Sequence, residues 1–199
     1  MRFVGVLVAV CLLLTGCATA GPPVSAAERA RIRSSVLDEQ WKPVQDTYPE
    51  AIRPKTPLTH TVPDHDWPLD VVACLHARGY VAQVAGDSFT FDSFTNQTNA
   101  DFHVEGYICT SAYAKASDVL AELNPAQVQA FDDFEVNQLQ PCLRLAGAKT
   151  FPPPVGHLTG ISDWNPFDLI WLNGTAKEAA YLELRCPPIP AWMDLASAE

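Results

Sequence analysis

A six-residue pattern occurs twice in the chain. Cys74-Leu75-His76-Ala77-Arg78-Gly79 and Cys142-Leu143-Arg144-Leu145-Ala146-Gly147 share Cys-Leu-x-x-x-Gly. In both, the glycine stands where a helix would stop, because a left-handed residue after the last turn is cheapest for glycine. A non-helical stretch follows each, and then a helix with one further cysteine, Cys109 in the first case and Cys186 in the second. Such self-similarity reads as a duplicated helix–connection–helix unit, over residues about 64–117 and about 124–188. The expected fold is α+β and mainly helical, with a small β-hairpin in the first unit and a single compact domain over 25–199.

The start of the chain sets the redox context. Arg2 precedes an apolar run from Phe3 to Leu14. A bilayer core needs about 20 apolar residues, so the run has the length of a signal peptide and not of a membrane span. It ends in Leu14-Thr15-Gly16-Cys17, which resembles the lipobox of bacterial lipoproteins at all four positions. The resemblance implies a signal peptide over 1–16, a diacylglyceryl group on the Cys17 thiol, and cleavage between Gly16 and Cys17. Residues 17–24 would form the lipidated tether, and the protein would sit on the outer face of the cell membrane. Stable anchoring takes two acyl chains, since one holds only marginally. An ordinary signal peptide cut after Ala18 or Ala20 is the alternative, and it would release the protein.

Of six cysteines, Cys11 would leave with the signal and Cys17 would be lipidated, as the resemblance implies. Cys74, Cys109, Cys142 and Cys186 remain, an even set that outside the membrane reads as two disulfides. No C-x₂₋₄-C pair of the kind zinc favours is present. Four cysteines allow three connectivities; the duplicated unit makes local pairing the simplest, Cys74–Cys109 and Cys142–Cys186.

Capping signals place the helices. Ser25-Ala26-Ala27-Glu28 opens a first helix carrying Ile32, Val36, Leu37 and Trp41, and Pro43 should stop it. Pro49, Pro54, Pro57, Pro63 and Pro68 make an extended segment. Asp66 should cap a second helix that ends at Gly79. Tyr80–Val84 and Ser88–Phe91 flank Ala85-Gly86-Asp87 as a hairpin. Thr98 caps a third helix, expected to run to about Ser117. Asn124-Pro125 opens a fourth that Pro141 should kink. Asn165-Pro166 opens a short helix, and Thr175-Ala176-Lys177-Glu178 caps the last, ending at Cys186.

The chemistry-bearing residues form no motif for a reaction. The chain has a net charge of −10, which disfavours nucleic acid and anionic lipid headgroups as partners. His60, Asp64, His65 and Asp66 have the chemistry of metal ligands, but they sit in the proline-rich stretch and Asp66 is needed as a cap, so no metal is expected. No G-x-S-x-G, H-E-x-x-H or G-x-G-x-x-G occurs, and no cofactor is expected. Asp132, Asp133 and Glu135 read as a solvated helix face. Trp164, Phe167 and Trp171 beside Pro166 make a candidate groove for a peptide or glycan, with core packing as the plainer reading.

Trp41…Tyr48-Pro49-x-Ala51-x-Arg53-Pro54, the two Cys-Leu-x-x-x-Gly units and Asp163-Trp164-Asn165-Pro166-Phe167 resemble segments of uncharacterised secreted lipoproteins of Gram-positive actinobacteria. That resemblance implies a location and a fold and brings no catalytic residues. The leading expectation is a membrane-anchored lipoprotein with a binding or structural role toward a protein or cell-wall ligand. The alternatives are a tethered hydrolase of cell-wall material and a substrate-binding lipoprotein of a transporter, for which the chain is short.

Overall fold

The computed structural model describes residues 24–55, 60–92, 99–153 and 164–198. Cys17, the cleavage site and Thr98 lie outside them. Helix α1 (Ala26–Thr47) starts where its cap directs: the Ser25 hydroxyl accepts from the Glu28 amide at 3.2 Å. The Glu28 carboxylate does not close the box and instead accepts from Gln127 Nε2 at 3.2 Å. Pro43 does not stop the helix, which runs one turn further. Proline removes one ladder bond, but Pro43 is on the exposed face while Trp41 and Val44 are buried. Trp41 meets the Tyr107 ring edge-on at 4.9 Å. Arg53 donates to the Tyr107 hydroxyl and to Asp38, which ties the following chain back onto α1. Packing outweighs the local signal here.

Val24, read from the sequence as the end of the tether, is 2 % exposed and packs with Ile32, Val36, Phe131, Met193 and Leu195. The body therefore begins a residue earlier than expected.

The proline-rich segment contains a strand that composition hides. Strand β1 (His60–Val62) pairs in parallel with β4 (Tyr113–Lys115). Helix α3 (Asn99–Ser111) correspondingly ends six residues short of Ser117 to release that strand, and a short helix α4 (Ala116–Ala121) follows. Ala114 is fully buried, so the strand exchanges helical bonds for a ladder inside the core. Thr61, 7 % exposed, donates to the Met193 carbonyl at 3.0 Å and accepts from the Leu195 amide at 3.1 Å. It clamps the C-terminal segment, whose last turn is the 3₁₀ helix Leu195–Ala198.

Helix α2 (Trp67–Ala77) has Pro68 in its first turn and buries Val71 and Leu75. Asp66 precedes it but makes no side-chain cap bond, contrary to its expected role. The hairpin β2 (Val81–Ala85) and β3 (Ser88–Asp92) turns through Gly86 at φ +62°. Both repeated motifs end alike. Tyr80 N donates to Leu75 O and Gly79 N to His76 O; Ala148 N donates to Leu143 O and Gly147 N to Arg144 O. Gly79 and Gly147 have φ of +88° and +86°. These are two copies of one Schellman ending, and Leu75 and Leu143 are both fully buried.

The disulfides are Cys74–Cys109 and Cys142–Cys186, with Cα atoms 5.6 and 5.8 Å apart. The units differ in what the bond spans. The first encloses the hairpin. The second encloses a long connection and the additional helix α7 (Asp168–Asn173) before α8 (Ala176–Arg185).

Candidate functional site

The site is set by one helical path. Helix α5 (Pro125–Phe134) starts with a complete capping box, Asn124 and Gln127 each bonding the other's amide. It continues as a π-helical turn, Glu135–Leu139, and then α6 (Gln140–Leu145). The ladder widens at this turn, with Gln140 N donating to Glu135 O, just before Pro141, which has no amide to donate. Phe131, Glu135, Leu139 and Leu143 are all buried. In a pure α-helix each four-residue step rotates by about 40°, so these positions would drift off one face. The wider π turn takes back that drift and holds Glu135 inward.

The result is a cavity of about 250 Å³. The β1–α2 connection supplies Asp64 and His65 at its rim, α4 supplies Ser117 and Leu120, and α5 and the π turn supply Phe131, Asp132 and Glu135. Trp164, Asp168 and Trp171 close another side, and Pro188 and Ile189 the last. Asp132 and Glu135 are each 3 % exposed. The solvated-face reading therefore holds only for Asp133, which is exposed. Burial, and then Asp133, push the Asp132 carboxyl up to about 6; burial, then Asp132 and Asp168, push Glu135 up to about 8. Near neutral pH the pair holds about one proton.

The other rim carboxylates are engaged. Asp64 Oδ1 accepts from the Ser117 amide at 3.0 Å, and Asp168 Oδ2 from the Asn165 amide at 3.0 Å. Asp132 Oδ2 is buried without a hydrogen-bond partner among the described residues. Trp171 is fixed from three directions. His65 stacks on it at 5.0 Å, Phe167 stacks on it at 5.4 Å, and its Nε1 donates to Glu183 Oε1 at 2.9 Å.

Of the expected groove residues, Trp164 and Trp171 line this cavity. Phe167 is fully buried behind Trp171 and belongs to the core. The His60, Asp64, His65, Asp66 group is dispersed. Asp64 bonds α4 and His65 covers Trp171, while His60 faces Asp194 at 3.5 Å. Asp66 lines an adjoining cavity of about 520 Å³ with His60, Glu183 and Asp194, where burial, then Glu183 and Asp70, raise it to about 7. Among the described residues no three His, Cys, Asp or Glu side chains converge as a metal site requires.

Compared with protein-family models, curated proteins and solved structures, the chain has no match. The reading of the site therefore rests on its own geometry. Sequence reasoning named the tryptophans but missed the acids. The available signal was the four-residue spacing of Phe131, Glu135, Leu139 and Leu143, which places a carboxyl in register with three apolar side chains.

Proposed function

We propose that the protein is a lipid-anchored extracytoplasmic binding protein whose site is the cavity between Trp164, Trp171 and the Asp132–Glu135 pair. One observation carries this reading: Asp132, a cavity-lining residue only 3 % exposed, has a carboxyl oxygen without a hydrogen-bond partner among the described residues. Leaving a buried polar atom unpaired costs roughly 1–3 kcal/mol, more for a charge, and native structures keep few such atoms. A ligand that engages it repays that cost on binding. Photocrosslinking in intact cells tests the reading, with the crosslinker in place of Ser117 on the cavity wall. A defined adduct is expected, and Val128→Trp, which puts a large ring at a lining position of the cavity on α5, should abolish it. No adduct, or one indifferent to Val128→Trp, would sink the binding role.

A second reading is favoured by the split in the acid pair. A protonated carboxyl beside an ionised one is the arrangement that hydrolases of glycosidic bonds use. A tethered cell-wall hydrolase would turn over wall glycan fragments and lose that turnover in Glu135→Gln. Absence of turnover by the wild-type protein would remove this alternative.

The anchor is supported by the lipobox-like start, and among the described residues no helix is long and apolar enough to cross a membrane. Acylation at Cys17 is expected to shift the protein to the membrane fraction and to leave Cys17 as the first residue by intact mass. Cys17→Ser should release it, and a Cys17→Ser protein that stayed fully membrane-bound would contradict the anchor.

A further inference from the structure

We infer that the outward face of α8, with the end of α6 beside it, docks onto a membrane surface of anionic lipid headgroups. This rests on the anchor proposed above and adds which side of the body turns to the membrane.

Helix geometry sets the face. At about 100° per residue, Lys177, Ala180, Tyr181, Leu184 and Arg185 fall within one arc of about 140°. The arc lies opposite Leu182 and Ala179, which pack into the core. All five residues are exposed, Tyr181 by 55 % and Leu184 by 86 %. Neither acid of the helix lies in the arc. Glu183 is turned in to accept from Trp171 Nε1, and Glu178 lies just outside, near Gly174. Helix α6 extends the surface. Its last two residues, Arg144 and Leu145, are exposed, Leu145 by 86 %. The Cys142–Cys186 bond, with its Cα atoms 5.8 Å apart, holds them beside the end of α8.

Charge then selects the occupant. A net charge of −10 speaks against anionic lipid for the body as a whole, but the cations are not used alike. Elsewhere they face carboxylates: Arg31 pairs with Glu122, Lys42 with Asp46, Arg53 with Asp38 and Arg78 with Glu105. Arg144, Lys177 and Arg185 pair with no carboxylate among the described residues, and Arg185 donates to the Tyr181 hydroxyl at 3.0 Å. An anionic surface attracts this face and repels the acidic remainder, so it orients the body as well as holding it.

The apolar side chains agree. Leucines that enter the headgroup boundary, a tyrosine at its polar edge and long cations reaching the phosphates are the parts of an interfacial helix. One face of a ten-residue helix, about 15 Å long, holds only weakly by itself. The chain supplies proximity. Val24, buried in the body, stands seven positions after Cys17, which even a fully extended chain spans in about 25 Å.

A lysine footprint tests the face. The purified full chain is placed in vesicles of phosphatidylcholine, or of equal parts phosphatidylcholine and phosphatidylglycerol, and its lysines are acylated with a water-soluble ester. On the anionic vesicles Lys177 should react at least about fivefold more slowly than on the neutral ones. Lys42, on α1, should react equally on both. High salt should remove the difference. Tyr181→Ser with Leu184→Ser, at two exposed positions, should restore Lys177 reactivity on anionic vesicles while both disulfides and the melting temperature stay as in the wild type. Equal Lys177 rates on the two vesicles would overturn the inference, and so would equal slowing of Lys42 and Lys177. Slowing of Lys177 in detergent without lipid, growing with protein concentration, would put a second copy on the face and overturn it too. Intact mass reads the anchor separately. Without an acyl group at Cys17 the anchor falls, yet excess anionic vesicles at low salt should still slow Lys177, and an unchanged rate there would overturn the docking face as well.

Discussion

Replacing Cys142 and Cys186 together by serine is expected to lower stability by about 4 kcal/mol, a large share of the roughly 5–15 kcal/mol that a domain has. The bond closes a separation of 44 residues, against 35 for Cys74–Cys109. Chain entropy alone therefore gives nearly equal values for the two, and the difference lies in what else holds each unit. Helices α2 and α3 are joined by more than the disulfide. Arg78 pairs with Glu105, Val71 and Leu75 share a core cluster with Phe102, and the hairpin's Ala82 and Phe89 belong to the same cluster. Helix α8 buries only Leu182 along its length before reaching Cys186. Loss of the second bond should first free α8, so amide-exchange protection over 176–185 should fall before the rest of the domain unfolds. Loss of Cys74–Cys109 should instead lower the global midpoint without a separate early phase. Non-reducing peptide mapping of either double variant should still recover the other linked pair. Unchanged protection in α8 without Cys142–Cys186 would show that packing alone holds the second unit.

The second large effect is a melting temperature that falls as pH rises. Glu135, Asp132 and Asp66 all have folded-state pKa values above their ordinary ones, at about 8, 6 and 7. A carboxyl raised in the folded state keeps its proton there after the unfolded chain has lost it. Stability is then highest below the unfolded value, near 4–5, and is lost as pH climbs to the folded value. For Glu135 that window runs from about 4.5 to about 8, and each unit is worth about 1.4 kcal/mol, so the loss is on the order of a few kcal/mol. Glu122 acts oppositely. Hydrogen bonds from Arg31 and Ser35 lower it, so its contribution is lost only as pH falls below its ordinary value. Thermal melts should therefore peak near pH 5 and decline toward pH 9, and Glu135→Gln should flatten the decline and raise stability at alkaline pH. A melting temperature that rose steadily from pH 5 to pH 8 would rule out the buried acid pair.

Local chemistry made much of this fold legible. The caps at Ser25, Asn124 and Thr175, the glycine stops at 79 and 147, the hairpin turn and both disulfides depend on residues close in sequence, or on a pattern that repeats. What escaped depends on distant partners. Pro43 sits inside a helix because Trp41 and Val44 find Tyr107 and its neighbours. Strand β1 exists because Tyr113–Lys115 lies beside it, and a three-residue strand between prolines has no period to detect. The site divides the same way. Aromatic residues beside Pro166 announced themselves by type. Asp132 and Glu135 look like any polar helix face until the π turn and the cover from Trp164 and Trp171 are known.

The shared cluster of Val24, Ile32 and Val36 with Met193 and Leu195 bears on the order of synthesis. Ala114, Val119, Leu120 and Phe131 cover part of α1, but the cluster around Ile32 and Val36 is not closed until residue 195 has followed. Every shorter nascent chain leaves that cluster incomplete, and the Thr61 hydroxyl without the two main-chain groups it joins. Such a topology withholds the native state until residue 195 is present, because contacts of large sequence separation form late. A chain threaded unfolded through a membrane, as its lipobox-like start would require, gains from that delay. Such a chain would arrive on the far side still pliable and would close there once residue 195 is delivered.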